Sequence, residues 1–154
     1  MEITIARTED AAEILELQKL AYAQEAHLYE NTDLPPFKQT LEEMVEDLQT
    51  LTVLKAVIDG EIIGSVRARS DRETCYIGRL VVHPNFQRMG IGSRLVHDIE
   101  DLYKHARRYE LFTGYLSDNN IRLYQKLGYR QFRQETDPAG IMLVFMEKVK
   151  DEHV

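Results

Sequence analysis

The feature that most constrains this chain is the stretch Leu80-Val81-Val82-His83-Pro84-Asn85-Phe86-Gln87-Arg88-Met89-Gly90-Ile91-Gly92-Ser93-Arg94-Leu95. The run Cys75 to Val82 is almost continuously apolar and predicts a central strand covered on both faces. It stops at His83-Pro84, passes through a polar loop holding Gly90 and Gly92, and enters a helix with Ile91, Leu95, Ile99 and Leu102 on one face. A strand that feeds a helix through a glycine loop can make an anion site. The first N–H groups of a helix lack internal acceptors and sit at the positive end of its dipole. Gly90 and Gly92 let the backbone approach a ligand without Cβ interference. Arg88 adds a full charge for a phosphate oxygen. A tight strand-to-helix turn with no ligand accounts for the glycines equally well. The P-loop pattern G-x-x-x-x-G-K-[ST] is absent, and a dinucleotide fingerprint needs a glycine where Leu95 stands.

The rest of the chain surrounds this unit. Ile3 and Ile5 alternate with polar residues as a short strand, and Thr8 is placed to cap a helix carrying Ile14, Leu17, Leu20 and Ala21. Glu25 to Pro36 reads as an irregular link. Thr40-Leu41-Glu42-Glu43 matches a capping box, followed by Leu41, Met44, Val45 and Leu48 at helical spacing. Leu51–Ile58 and Ile62–Arg69 form strands joined by Asp59-Gly60, a hairpin signal. After the glycine-loop helix come a strand over Leu111–Leu116, a short helix over Asn119–Leu127 stopped by Gly128, and strands over Tyr129–Arg133 and Ile141–Lys148. The order β-α-α-β-β-β-α-β-α-β-β predicts one α+β domain over residues 1–150 with a mixed sheet, leaving 151–154 as a frayed tail.

Charge and cysteine content narrow the partners. The net charge is -7, with no long basic run, which argues against nucleic acid. The densest basic cluster, Lys104 to Arg108, is expected at a helix C-terminus, where it complements the dipole. No apolar run approaches the ~20 residues of a membrane span, and the opening residues show no secretory leader pattern. The single cysteine, Cys75, can form no internal disulfide and is read as a buried structural thiol. These features give the expectation of a cytoplasmic protein. The five histidines lack metal-binding spacing, so no metal is predicted.

Gln87, Gly90 and Gly92, after a strand ending Val82-His83-Pro84, resemble motif A of the GNAT superfamily of N-acyltransferases, [QR]-x-x-G-x-[GA]. Leu123-Tyr124-Gln125-Lys126-Leu127-Gly128-Tyr129 is similar to a second segment of that family, and the order of elements agrees over nearly the whole chain. The resemblance implies a GNAT-like fold: about seven strands, about four helices, and two central parallel strands that splay apart. It implies acetyl-CoA as acyl donor, with the pyrophosphate on Gln87, Arg88, Met89, Gly90, Ile91, Gly92 and Ser93. The pantetheine arm would lie along Leu80, Val81 and Val82, where a β-bulge exposes backbone groups. It makes Tyr124 the acid that protonates the departing thiolate; the family's Asn and Ala seven and four residues before it are Ser117 and Asn120 here, either of which can offer a hydrogen bond to the cofactor, and Asn120 is assigned. Without the resemblance, Tyr124 reads as a half-buried aromatic beside core Leu123 and Leu127.

The implied reaction is direct attack of a primary amine, on a small molecule or a peptide, at the thioester carbonyl. A backbone N–H at the end of the Leu80–Val82 strand would hold the oxyanion. The base is open. The central strand holds no carboxylate and Glu73 lies just before it; Glu25 and Glu30 could line the acceptor pocket but read first as solvated charges, with a water relay equally compatible. Acceptor choice is expected in Tyr22–Phe37 and Glu135–Gly140. A non-catalytic acyl-CoA-binding domain of the same fold is the alternative, and homodimerisation is a family habit that no residue here establishes.

Overall fold

The structure is a computed structural model that describes residues 1–30 and 35–150. The expected frayed tail at 151–154, and residues 31–34 of the expected link, lie outside the described residues. The elements are β1 (Glu2–Ile5), α1 (Ala11–Tyr29), α2 (Pro35–Lys38), α3 (Leu41–Thr50), β2 (Thr52–Ile58), β3 (Glu61–Asp71), β4 (Thr74–Val82), α4 (Ile91–Leu102), β5 (Arg108–Gly114), α5 (Asp118–Lys126), β6 (Arg130–Thr136) and β7 (Met142–Val149). The strands form one seven-stranded sheet in the order β1-β2-β3-β4-β5-β7-β6. Every neighbouring pair is antiparallel except β4 with β5.

Local chemistry explains most of these elements. Thr40 Oγ1 accepts the Glu43 N–H at 3.1 Å and Glu43 Oε1 accepts the Thr40 N–H at 2.9 Å, so the capping box starts α3 as expected. Asp59 and Gly60 both have positive φ, 51° and 80°, the backbone of a two-residue hairpin turn. One core packs Leu95, Val96 and Ile99 of α4 against Ala56, Val66, Ala68, Cys75 and Ile77. A second, on the other face, packs Ile14 and Leu17 of α1 and Met44 of α3 against Val53, Ile62 and Val81.

Four expectations change. The helix α1 continues to Tyr29 and is closed by Glu30 at φ 51°, so residues 25–29 are not a link. Its apolar stripe fades there because Tyr22, Glu25 and Tyr29, spaced i, i+3, i+7, face a cavity rather than a core. Thr8 does not cap α1. It lies in a 3₁₀ turn over Thr8–Asp10, and the Asp10 carboxylate takes the Arg7 N–H at 2.8 Å. Leu102 is exposed and Val96 takes its place on the buried face of α4. The basic cluster follows α4 instead of ending it. Arg108 opens β5 and pairs with Glu110 at 2.8 Å and Glu147 at 2.7 Å across the sheet.

Candidate active site

The parallel pair β4–β5 is held only at its start, where Thr74, Cys75 and Tyr76 match Arg108, Tyr109 and Glu110. Beyond Tyr76 the two strands part, so the β5-facing backbone edge of Ile77 to Val82 has no strand partner. On its other edge β4 carries a bulge. Ser65 matches Val81 and Arg67 matches Gly78, so Arg79 and Leu80 together oppose Val66. Arg79 sits at φ 48°, a left-handed conformation that costs a non-glycine residue on the order of 1 kcal/mol. The extra residue switches the faces of the strand. Cys75 and Ile77 point into the α4 core, whereas Val81 joins the α1/α3 core. This corrects the expectation of a strand with apolar cover throughout: Gly78, Arg79 and Leu80 line a cavity.

The loop after β4 leads into the N-terminus of α4. Arg88 and Gly90 both take left-handed φ, 65° and 79°, and Gly90 is the residue before the first helical turn. Among the described residues, no acceptor takes the backbone N–H groups of Arg88, Met89, Gly90, Ile91, Gly92 or Ser93. Met89 is exposed, while the Ile91 side chain is buried and anchors the helix. Gln87 donates through Nε2 to the Val82 carbonyl at 3.3 Å, tying the loop to the strand end. A Cβ on Gly92 would stand 3.3 Å from Leu123 Cδ2 of α5 and 3.7 Å from Leu80 Cδ2. The loop, the end of β4 and α5 therefore meet at one point.

On α5, Tyr124 is 5 % exposed and lines the cavity. Among the described residues its hydroxyl makes no hydrogen bond, and no buried polar side-chain atom lacks a partner, so the hydroxyl opens into the cavity. Burial, then the nearby Tyr22 and Glu25, raises its pKa above the ordinary phenol value, which keeps the proton on at neutral pH. Asn120 Nδ2 donates to Thr113 Oγ1 of β5 at 3.3 Å, one turn before Tyr124. Ser117, the residue before α5, does not cap it. Its hydroxyl donates to Glu25 Oε2 at 2.5 Å and meets Tyr29 Oη at 2.9 Å, and Tyr29 Oη accepts the Leu116 N–H at 2.9 Å.

The cavity has a volume of about 1050 Å³ and runs through the opening between β4 and β5. Tyr22, Glu25 and Tyr29 of α1 form one wall, Asp137, Pro138 and Ala139 of the β6–β7 loop another, so both expected acceptor segments reach it. Sequence reasoning set Glu25 aside as a solvated charge. The structure holds it in the wall, bonded to Ser117, whereas Glu30 is exposed beyond the helix end and Glu73 is exposed on the β3–β4 turn. The helical spacing of Tyr22, Glu25 and Tyr29 was the signal that could have found it. Sequence reasoning also passed over Arg67 and Arg79, which line the same space.

Cys75 lies away from the cavity and is 0 % exposed. Burial, with the Glu100 charge adding to it, pushes its thiol from 9.0 up to about 12. At pH 8 the native protein is expected to resist a thiol-exchange dye that labels the denatured chain fully; stoichiometric labelling of the native protein would contradict this. Because the folded pKa is raised, this thiol leaves stability unchanged below about pH 9. Between there and about pH 12 the unfolded chain releases a proton the folded one keeps, and stability falls by about 1.4 kcal/mol per pH unit.

Comparison with known proteins agrees with this geometry. The family model described as Acetyltransferase (GNAT) family matches residues 11–129. The UPF0157 protein YqkA of Bacillus subtilis is 30 % identical over 144 residues, covering 92 % of this chain; the match spans only 39 % of that protein's length. Among solved structures, the paiA N-acetyltransferase of Thermoplasma acidophilum, in complex with coenzyme A, superposes with a TM-score of 0.78 at 18 % identity, over 97 % of this chain and 100 % of that one. The yncA protein of Salmonella typhimurium, with its cofactor acetyl-CoA, gives 0.79 at 20 % identity, over 100 % of this chain and 96 % of that one. The mixed seven-stranded sheet with its splayed central pair is the fold they share.

Proposed function

Since the chain belongs to the GNAT family of acetyltransferases, whose acyl donor is acetyl-CoA, we propose that it transfers an acetyl group from acetyl-CoA to a primary amine by direct attack. The observation that carries this reading is the opening between β4 and β5. It brings Leu80 at the unpaired edge of β4, Tyr124 and Glu25 to one cavity, and the loop with the open N–H groups of Arg88–Ser93 adjoins it where Gly92 meets Leu80 and Leu123.

Each residue then has a task. The N–H groups of Arg88 to Ser93, with the Arg88 charge and the α4 dipole, take the CoA pyrophosphate. Gln87 steadies the loop on Val82. The free edge of Leu80, Val81 and Val82 takes the pantetheine amides as a further strand would, and one of its N–H groups holds the thioester oxygen as negative charge grows there. Asn120 reaches the cofactor from α5. Glu25 receives the proton the amine must lose, aided by Ser117, because an alkylamine near pKa ~10.4 is mostly charged at neutral pH. Tyr124 returns a proton to sulfur as the C–S bond breaks.

Release of free thiol from acetyl-CoA, followed across a panel of primary amines, tests the reading. Amine-dependent release is expected. Saturable CoA binding without release on any amine would favour the alternative, a non-catalytic acyl-CoA-binding domain. Stabilisation by ATP but not by CoA would reject both. Within this scheme Glu25→Gln is expected to lower kcat by ~10²-fold at pH 7. Raising the pH should restore part of the loss, as more of the amine loses its proton unaided. An equal deficit at every pH would remove Glu25 as the base.

A further inference from the structure

We propose that Arg79 is the anchor for a carboxylate on the acceptor, so that the substrate of this site is an amine that also carries a carboxylate. The proposal rests on the acetyl-transfer reading of the same cavity and adds the class of acceptor to it.

Two guanidinium groups, Arg67 and Arg79, line the cavity on the α1/α3 side of the sheet. Arg67 is paired, with Nη1 2.6 Å from Asp47 Oδ2. The same Asp47 oxygen accepts from Gln39 Nε2 at 2.5 Å. Arg79 reaches no carboxylate among the described residues. Its one hydrogen bond runs from Nη1 to the neutral amide oxygen of Gln39 at 2.9 Å, an oxygen that also accepts from Gln18 Nε2 at 2.8 Å. This fixes the Gln39 amide, since Asp47 can only accept and Arg79 can only donate. Asp47 is thus taken by Arg67 and Gln39, and Glu43, the other carboxylate acting on Arg79, makes no ion pair with it among the described residues.

A guanidinium carries five N–H donors, and one bond leaves most of them open. Among the described residues no buried polar side-chain atom lacks a partner, so the remaining Arg79 nitrogens open into the cavity that the residue lines. Burial and the like charge of Arg67 pull its pKa below the usual guanidinium value, outweighing the opposing charges of Asp47 and Glu43. A planar, forked cation aimed into a pocket matches a carboxylate in two parallel hydrogen bonds.

The placement suits an amine substrate. Arg79 is the bulge residue, immediately before the Leu80–Val82 segment to which the thioester is assigned. The left-handed backbone at Arg79, with the switch of face it produces, turns the side chain toward α1 and α3 instead of the α4 core. Tyr22 and Glu25, one turn apart on α1, line the same cavity as Arg79. Tyr124 in turn feels Tyr22 and Glu25. An acceptor held by its carboxylate at Arg79 extends past Tyr22 and presents its amine at Glu25, beside Tyr124.

The test compares glycine, β-alanine, leucine and phenylalanine with their carboxamides, by thiol release from acetyl-CoA. The parent is expected to prefer the acids. Arg79→Gln should lower the acid-to-amide ratio of kcat/KM by about 10- to 100-fold, mostly through KM, and Arg79→Lys should recover part of it. A second arm does not require turnover. The CoA-saturated protein is titrated by calorimetry with the N-acetyl derivatives of the same acids and with their amides. Tighter binding of the acids, lost in Arg79→Gln, supports the proposal even if no amine is acetylated, in which case the acetyl-transfer reading alone fails. Equal treatment of acid and amide by the parent in both arms, or ratios that Arg79→Gln leaves unmoved, would overturn it.

Discussion

Tyr124→Phe is expected to lower kcat by ~10²–10⁴-fold while leaving the affinity for acetyl-CoA essentially unchanged. The substitution removes one oxygen from a residue whose ring is packed between Leu123, Leu127 and Tyr129 of the α4-side core. That oxygen has no hydrogen-bond partner among the described residues, so its loss strands no donor or acceptor. The fold should therefore hold, and a drop in turnover reports the proton. The raised pKa matters here. Tyr124 remains protonated across the working range, so no loss of activity from its ionisation is expected below about pH 10. A CoA thiol near pKa ~8.5 is a weaker base than the buried phenolate, so transfer has to accompany C–S cleavage, when the sulfur bears its growing charge. Equal kcat in parent and variant, by single-turnover thiol release, would take Tyr124 out of the mechanism.

Gly92→Glu is expected to abolish acetyl-CoA binding without unfolding the protein. Gly92 is the second residue of α4, and its N–H group is among those with no acceptor. A carboxylate in the first turn of a helix is favourable in itself, worth about 0.3–1 kcal/mol against the dipole. The new Cβ stands 3.3 Å from Leu123 Cδ2, the end of a side chain that can shift. These two effects oppose each other, so the ligand-free melting temperature should move by only a few degrees. The ligand meets a different balance. The added carboxylate occupies the space of the pyrophosphate and repels it. In the parent, acetyl-CoA at about a hundredfold excess over Kd should stabilise the fold by about 2.7 kcal/mol. In the variant that stabilisation should vanish. Retained stabilisation would place the cofactor away from this loop.

The two experiments address the cavity at Tyr124 and the adjoining loop at Gly92, and of the two the loop is the more legible from the residues alone. Gly90 and Gly92 after an apolar strand describe an anion-binding turn in any fold, because helix N-termini and Cβ-free backbone act locally. The Asp59-Gly60 hairpin and the Thr40/Glu43 cap were legible for the same reason. Where the contacts are non-local, the reading failed. Residues 25–29 lose their apolar stripe because that stretch of α1 faces a cavity made by β4, β5 and α5, and the spacing of Tyr22, Glu25 and Tyr29 is its only local trace. Arg108 reads as a helix-terminal charge because Glu147, its partner on β7, is 39 residues away, and its pairing with Glu110 requires the strand β5 that begins at Arg108.

By itself the sequence determined the order of the elements apart from the short α2 over Pro35–Lys38, the hairpin, the cap and the strand–loop–helix unit that offers free N–H groups, since each depends on neighbours within a few residues. Tertiary structure alone decided three things. It fixed where β4 and β5 part, it turned Arg79 through a bulge to the α1 side, and it brought Glu25 to Ser117 across 92 positions of chain. The physical reason is one of register. A single extra residue in β4 reverses which face its side chains meet, and nothing in Gly78-Arg79-Leu80 fixes that reversal until Ser65 and Arg67 of β3 are paired against it.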